Sequence, residues 1–184
     1  MGINTVAVIG AGTMGAGIAQ VCAQAGWKTN LFDAFPEGLK RGMNTIDAFW
    51  DKGITRGKTT PEQKAEWAAN LHAVSDMADA VGDVDLVIEA VPEIPELKHK
   101  IFAELGTMTR DDCILGTNTS SLSIADIAAA SGKPDKVIGM HFFNPVPIMK
   151  LLELVKHDSC SDETIAAAEA AGKAMGKTTI IVKD

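Results

Sequence analysis

Two kinds of apolar spacing alternate along this chain. Continuous runs rich in Val, Ile and Leu occupy residues 5–9, 29–32, 71–74, 85–91, 113–116 and 136–140, the pattern of strands covered on both faces. Stretches with helical spacing lie between them. Residues 13–25 place Met14, Ile18, Val21, Cys22 and Ala25 on one stripe and stop at Gly26, a residue suited to the left-handed turn that ends a helix. Residues 36–57 and 61–70 read as helices opened by Pro36 and Pro61, each fitted to a first helical turn. Toward the C-terminus, residues 150–155 read as a strand, 161–175 as an Ala-rich helix stopped by Gly176, and 178–182 as a last strand. Strands alternating with helices imply parallel neighbours joined by helical crossovers. No repeat or low-complexity tract divides the sequence, so residues 1–184 are expected to form one doubly wound α/β domain, its sheet mainly parallel with extra C-terminal strands.

Composition narrows the setting. The 184 residues are 46% hydrophobic and 22% charged, ordinary for one globular core. A formal net charge of −7 repels a polyanion on average, so nucleic acid is not an expected partner. No apolar run approaches the roughly 20 residues that cross a bilayer, and no basic leader precedes the first strand. A cytoplasmic setting without membrane attachment is therefore expected. Cys22, Cys113 and Cys160 are odd in number and widely spaced, which reads as reduced thiols with no metal site.

Candidate chemistry begins at Gly10-Ala11-Gly12-Thr13-Met14-Gly15, a G-x-G-x-x-G turn placed directly after the first strand and at the start of the first helix. There the first glycine permits the tight turn, the second admits a pyrophosphate to the backbone, and the third lets helix and strand pack closely. The anion would rest on the unpaired N–H groups and positive dipole end of the helix. The second strand ends in Asp33, 18 residues after Gly15, where a carboxylate can accept hydrogen bonds from the adenosine ribose. A 2′-phosphate about 4 Å away would meet repulsion of about 4 kcal/mol per unit charge at an effective dielectric near 20. The expected cofactor is NAD rather than NADP.

Ligands of open α/β sheets bind beyond the carboxyl ends of the strands, and this rule sorts the four histidines. His72 lies within a short strand, His99 in a Lys-rich helical run and His157 in a turn; only His141 closes a buried strand, ahead of a loop stiffened by Pro145 and Pro147. It is the candidate general base. The run 114–121 likewise leaves a strand end loaded with polar groups, and Ser123 with Asp126 can cap the next helix, leaving Ser120 free for a ligand. Glu153 sits in the apolar strand Leu151-Leu152-Glu153-Leu154-Val155, where a buried carboxylate needs a partner. His141 is the expected one.

With these residues in view, the chain resembles the NAD-binding domain of the 3-hydroxyacyl-CoA dehydrogenase family, which includes bacterial 3-hydroxybutyryl-CoA dehydrogenases. The resemblance covers essentially the whole length through VAVIGAGTMGAGIAQ from Val6, DLVIEAVPE from Asp85, NTSSLSI from Asn118, GMHFFNPVPIMKLLELV from Gly139 and GKTTIIVKD from Gly176. It implies a Rossmann-type sheet, and a catalytic set of His141 as base, Glu153 as its partner and Ser120 at the substrate oxygen. It further implies cofactor contacts from Gly10, Ala11, Gly12, Thr13, Met14, Gly15, Asp33, Ala90, Val91, Glu93, Lys98, Asn118, Ser120 and Asn144. The implied reaction is hydride transfer between NAD and an (S)-3-hydroxyacyl-CoA or its 3-ketoacyl-CoA, as in β-oxidation and butanoate metabolism. Lys52 and Arg56, four apart on the second helix, are placed to meet phosphates of CoA, with Ser120 also at the substrate.

The family pattern continues beyond the VKD run into a helical domain that closes the acyl pocket and forms a homodimer. The 184-residue chain alone is therefore expected to bind NAD and to turn over acyl-CoA poorly, because half the cleft faces water. Two other readings stay open in the sequence: a dehydrogenase of free 3-hydroxy acids or sugar acids on the same architecture, and a nucleotide-binding module without chemistry.

Overall fold

The computed structural model describes residues 2–184. Strands β1 (Thr5–Ile9), β2 (Lys28–Phe32), β3 (Leu71–Val74), β4 (Leu86–Glu89), β5 (Ile114–Thr117) and β6 (Val137–Phe142) run parallel. Strand β7 (Leu151–Lys156) pairs antiparallel with β6, and β8 (Thr178–Lys183) pairs parallel with β7. The eight strands form one sheet in the order β3-β2-β1-β4-β5-β6-β7-β8. The chain first winds from β1 toward β3 and then returns to the other side of β1 at β4. That reversal opens a crevice at the carboxyl ends of β1 and β4.

Seven helices cover the two faces: α1 (Thr13–Gln24), α2 (Pro36–Thr55), α3 (Pro61–Asn70), α4 (Met77–Val81), α5 (Pro95–Met108), α6 (Ile124–Ser131) and α7 (Asp162–Ala174). The pleat of β1 divides its side chains between two cores. Val6 and Val8 pack with Ile18, Cys22, Ile46, Trp50 and Ala168, whereas Ala7 and Ile9 pack with Val81, Ile101, Phe102 and Ile127. Burial on both faces is why these strands read as continuous apolar runs. The sheet is the doubly wound, mainly parallel one that the sequence predicts.

Two departures have local causes. The fourth strand ends at Glu89 instead of running to residue 91, because the Val91 N–H turns back to the Glu89 carboxylate at 2.7 Å. Helix α4, five residues capped by Asp76 through the Asp79 N–H, is too short to show a helical period in the sequence. The remaining helix ends follow ordinary capping chemistry: Thr60 and Gln63 form a capping box on α3, and Ser161 caps α7.

The start of α6 is held more elaborately. Ser123 Oγ accepts the Asp126 N–H, while the Asp184 carboxylate accepts the N–H groups of Ile124 and Ala125 at 3.2 and 2.9 Å. The last residue of the chain thereby braces the loop that leads out of β5. Helices α5 and α6 meet closely, and a β-carbon on Gly106 would run into the Ser131 carbonyl oxygen. Gly106→Ala should therefore lower unfolding stability by about 1–3 kcal/mol in urea denaturation, the usual cost of forcing extra volume into a packed contact. An unchanged midpoint would show that the two helices separate freely there.

Candidate active site

The glycine turn joins β1 to α1 with no side chain between backbones. Gly10 takes φ +103°, and a β-carbon there would lie 2.6 Å from the Ala90 carbonyl oxygen. At Gly15 it would collide with the Gly10 carbonyl. Gly12 differs: its β-carbon would meet nothing within 4 Å, because this face of the turn is open. Gly12 is also the N-cap of α1, and no side chain caps that end. The first-turn N–H groups of α1 therefore look into open space at the positive end of the helix dipole, an arrangement fitted to a diphosphate.

Asp33 closes the next side of the cleft. Its Oδ2 accepts the Ala11 N–H and its Oδ1 the Phe35 N–H, each at 2.8 Å. Each oxygen keeps a lone pair for a ribose hydroxyl. A cavity of about 760 Å³ runs between Gly12, Met14, Asp33, Phe35, Ala90 and Leu97, so Met14 and Ala90 from the predicted set line it. Phe35 is 74% exposed at its mouth.

The far wall is built on charge. Glu89 is fully buried; Oε1 accepts the Thr117 hydroxyl at 2.7 Å, and Oε2 accepts the Val91 N–H at 2.7 Å and Lys98 Nζ at 2.8 Å. Lys98 also lies 3.3 Å from Glu93. Glu93, on the rim, receives the Ser120 N–H at 3.2 Å and the Ser120 hydroxyl at 3.5 Å. Partial burial alone would push the Glu93 carboxyl up, but the Thr119 hydroxyl, the Ser120 N–H and the Lys98 charge hold it below the usual carboxylate range.

His141 and Glu153 face each other across the antiparallel junction of β6 with β7, paired directly in register. Direct cross-strand partners share a face, and His141 Nδ1 lies 3.0 Å from Glu153 Oε1. Glu153 is less buried than an apolar strand suggests, with 27% of its side chain exposed beside 23% for His141. Strand β7 alternates, burying Leu152 and Leu154 and turning Glu153 outward. Phe143 packs on the imidazole with ring centroids 4.5 Å apart. Asn118 ties β5 to β6 by accepting the Phe142 N–H at 2.9 Å. Asn144 is exposed in the loop after β6. Lys177 reaches into that loop, donating to the carbonyls of Val146 and of Met149, the latter at 2.7 Å.

The structure thus gathers the glycine turn, Asp33, Ala90, Val91, Glu93, Ser120, His141 and Glu153 on one edge of the sheet. Lys52 and Arg56 lie elsewhere, exposed at the far end of α2, where Lys52 is roughly 24 Å of helix from Pro36 at 1.5 Å per residue. Lys98 presents no side-chain surface to solvent. Sequence reasoning passed over the Glu89 side chain, although a glutamate closing the apolar run Leu86-Val87-Ile88 signals a buried charge in need of a partner. His157, placed in a turn, is buried with Nε2 at 2.8 Å from the Val137 carbonyl.

Among the described residues, no cluster of three His, Cys, Asp or Glu side chains is placed to hold a metal, and no helix is long and apolar enough to cross a membrane. Burial pushes the Cys113 thiol up to about 12 and the Cys160 thiol up to about 11.

An uncapped helix end over a glycine turn, facing a carboxylate one strand away, marks a dinucleotide-binding domain. Comparison with known proteins places it more closely. The profile of the family described as 3-hydroxyacyl-CoA dehydrogenase, NAD binding domain, matches residues 5–184, and the chain belongs to that family. Its cofactor is NAD. The Caenorhabditis elegans protein named "Probable 3-hydroxyacyl-CoA dehydrogenase" is 40% identical over 186 residues, covering 99% of this chain and 62% of the nematode protein. The fatty acid oxidation complex subunit alpha of Psychrobacter arcticus is 39% identical over 99% of this chain and 25% of its own length. The crystal structure of (S)-3-hydroxybutyryl-CoA dehydrogenase PaaH1 from Ralstonia eutropha superposes with a TM-score of 0.96 at 41% identity, over 99% of this chain and 64% of that one. The chain spans less than two thirds of each of these relatives.

Asp33→Ser should weaken NADH binding about tenfold or more, since a hydrogen bond to a charged group contributes roughly 1.5–3 kcal/mol, and should narrow the gap between NADH and NADPH. Fluorescence titration with both nucleotides measures this. An unaltered ratio would mean that Asp33 serves only the Ala11 and Phe35 amides.

Proposed function

We propose that this domain supplies the cofactor cleft and the proton-accepting pair of an NAD-dependent 3-hydroxyacyl-CoA dehydrogenase, with 3-hydroxybutyryl-CoA as substrate. One observation carries the reading: the 3.0 Å contact between His141 Nδ1 and Glu153 Oε1, at the sheet edge that also bears the glycine turn. NAD supplies the acceptor for a hydride leaving C3 of the substrate.

The chain's own residues do the rest. Glu153 accepts a hydrogen bond from the Nδ1–H of His141, which holds the tautomer with Nε2 unprotonated and able to take the substrate hydroxyl proton. The carboxylate then stabilises the imidazolium that forms. Ser120, exposed on the adjoining loop, can donate to the substrate oxygen once its hydroxyl turns from Glu93. Asn144 is proposed at the nicotinamide side, and Lys52 and Arg56 at phosphates of CoA. Residues 1–184 are read as one cofactor domain. A further helical domain, as the resemblance implies, would close the acyl pocket and form the homodimer.

The test is His141→Ala in the enzyme that contains this domain. NADH affinity should stay within about twofold while kcat falls by roughly 10²–10⁴, the usual contribution of a positioned general base. Retained hydride transfer would remove His141 from the chemistry. A free 3-hydroxy acid outperforming its CoA thioester would exclude the acyl-CoA assignment.

A further inference from the structure

We propose that Lys177 is a positioning residue for the reactive edge: from the turn before β8 its buried ammonium holds the loop between β6 and β7, so that Phe143 stays packed on the His141 imidazole. The inference rests on the proposed role of His141 as proton acceptor.

The choice of residue is the first argument. Lys177 is 8% exposed, and both hydrogen-bond partners of its ammonium are main-chain carbonyls, those of Val146 and Met149. Burial and the like charge of Lys150 oppose its ionisation. An apolar side chain of similar volume would fill the site without that cost. What an ammonium adds is several donors on one atom, which draw two carbonyls to a single point. The loop has few donors of its own to offer them. Pro145 and Pro147 lack an N–H, and the N–H groups of Ile148 and Met149 both go to the Pro145 carbonyl, at 3.0 and 2.9 Å.

The second argument is where the loop lies and what it carries. Val146 is 1% exposed and rests on α1, where a β-carbon on Gly17 would come within 2.9 Å of the Val146 β-carbon and 3.4 Å of the Pro147 ring. Lys177 grips the loop from a fixed base: its own N–H donates to the Gly172 carbonyl at 2.9 Å, and the Thr178 N–H donates to the Lys150 carbonyl at 2.8 Å. Phe143 opens the loop directly after β6 ends, with its ring centroid 4.5 Å from that of His141, and Asn144 follows it. Without the ammonium the two carbonyls would turn toward water, because a buried acceptor lacking a donor is unfavourable. The loop would then move, and Phe143 and Asn144 would move with it.

Lys177→Met keeps the length of the side chain and removes its donors. In proton NMR of this chain, the His141 ring signals should lose the ring-current displacement imposed by Phe143, while those of His72, His99 and His157 stay in place. NADH affinity should remain within about twofold, because the glycine turn and Asp33 are untouched. In the enzyme that contains this domain, kcat should fall about tenfold with the KM for NAD held within about threefold, the split expected when the chemical step rather than cofactor binding is impaired. Unmoved His141 signals, or a parental kcat, would make Lys177 a support of the fold alone, and the proposal falls. Should Lys177→Met fail to fold, Lys177→Gln decides. Its shorter amide cannot span both carbonyls, so displaced His141 signals support the proposal and parental ones refute it. A parent enzyme without acyl-CoA turnover would overturn the proposed reaction, and the His141 signals would still decide the role of Lys177.

Discussion

Backbone meets backbone at the junction of β1, β4 and α1, and the rest of the functional edge is arranged around that contact. Gly10 lies against the Ala90 carbonyl and Gly15 against the Gly10 carbonyl, so neither position has room for a β-carbon. This closeness brings the open end of α1 and the end of β4 to opposite sides of one cleft. A side chain at either glycine would push the helix off the strand and the strands apart, and the diphosphate site would be lost along with the wall facing it.

Acidic side chains along this edge are each oriented by donors rather than left to solvent. Asp33 is held by two backbone amides, Glu89 by an amide, a hydroxyl and an ammonium, Glu153 by an imidazole, and Asp184 by the first amides of α6. The deeper the carboxylate, the stronger its set of donors. Fully buried Glu89 has the single full counter-charge at 2.8 Å, while half-buried Asp33 is satisfied by neutral N–H groups. That gradient follows from desolvation, which a neutral donor offsets only when water still shares the work.

Reversal of the chain at β7 serves the histidine. A parallel neighbour would have needed a long crossover, whereas the antiparallel return sets residues 141 and 153 directly opposite after a short loop. Lys177 grips the carbonyls of that loop from the turn before β8, and its own ammonium is held below the usual lysine range by burial and by nearby Lys150. The two last strands are thus part of the site's construction as well as of the sheet.

Local pattern settled much of this in advance. The continuous apolar runs mark strands covered on both faces, the glycine spacing marks the tight turn between β1 and α1, and a histidine closing a buried strand marks the carboxyl end of β6, because each is a property of a few consecutive residues. The partnership of His141 with Glu153 was legible for a related reason, since a carboxylate in an apolar strand advertises a missing counterpart. Other features depended on which distant segments become neighbours: the burial of Lys98 between Glu89 and Glu93, the hold of Glu93 on Ser120, and the capping of α6 by Asp184. A helical period says which face of α5 turns inward but not what charge waits there. Only the packing of α5 against the ends of β4 and β5 turned a lysine from a Lys-rich surface helix into the counter-ion of a buried wall.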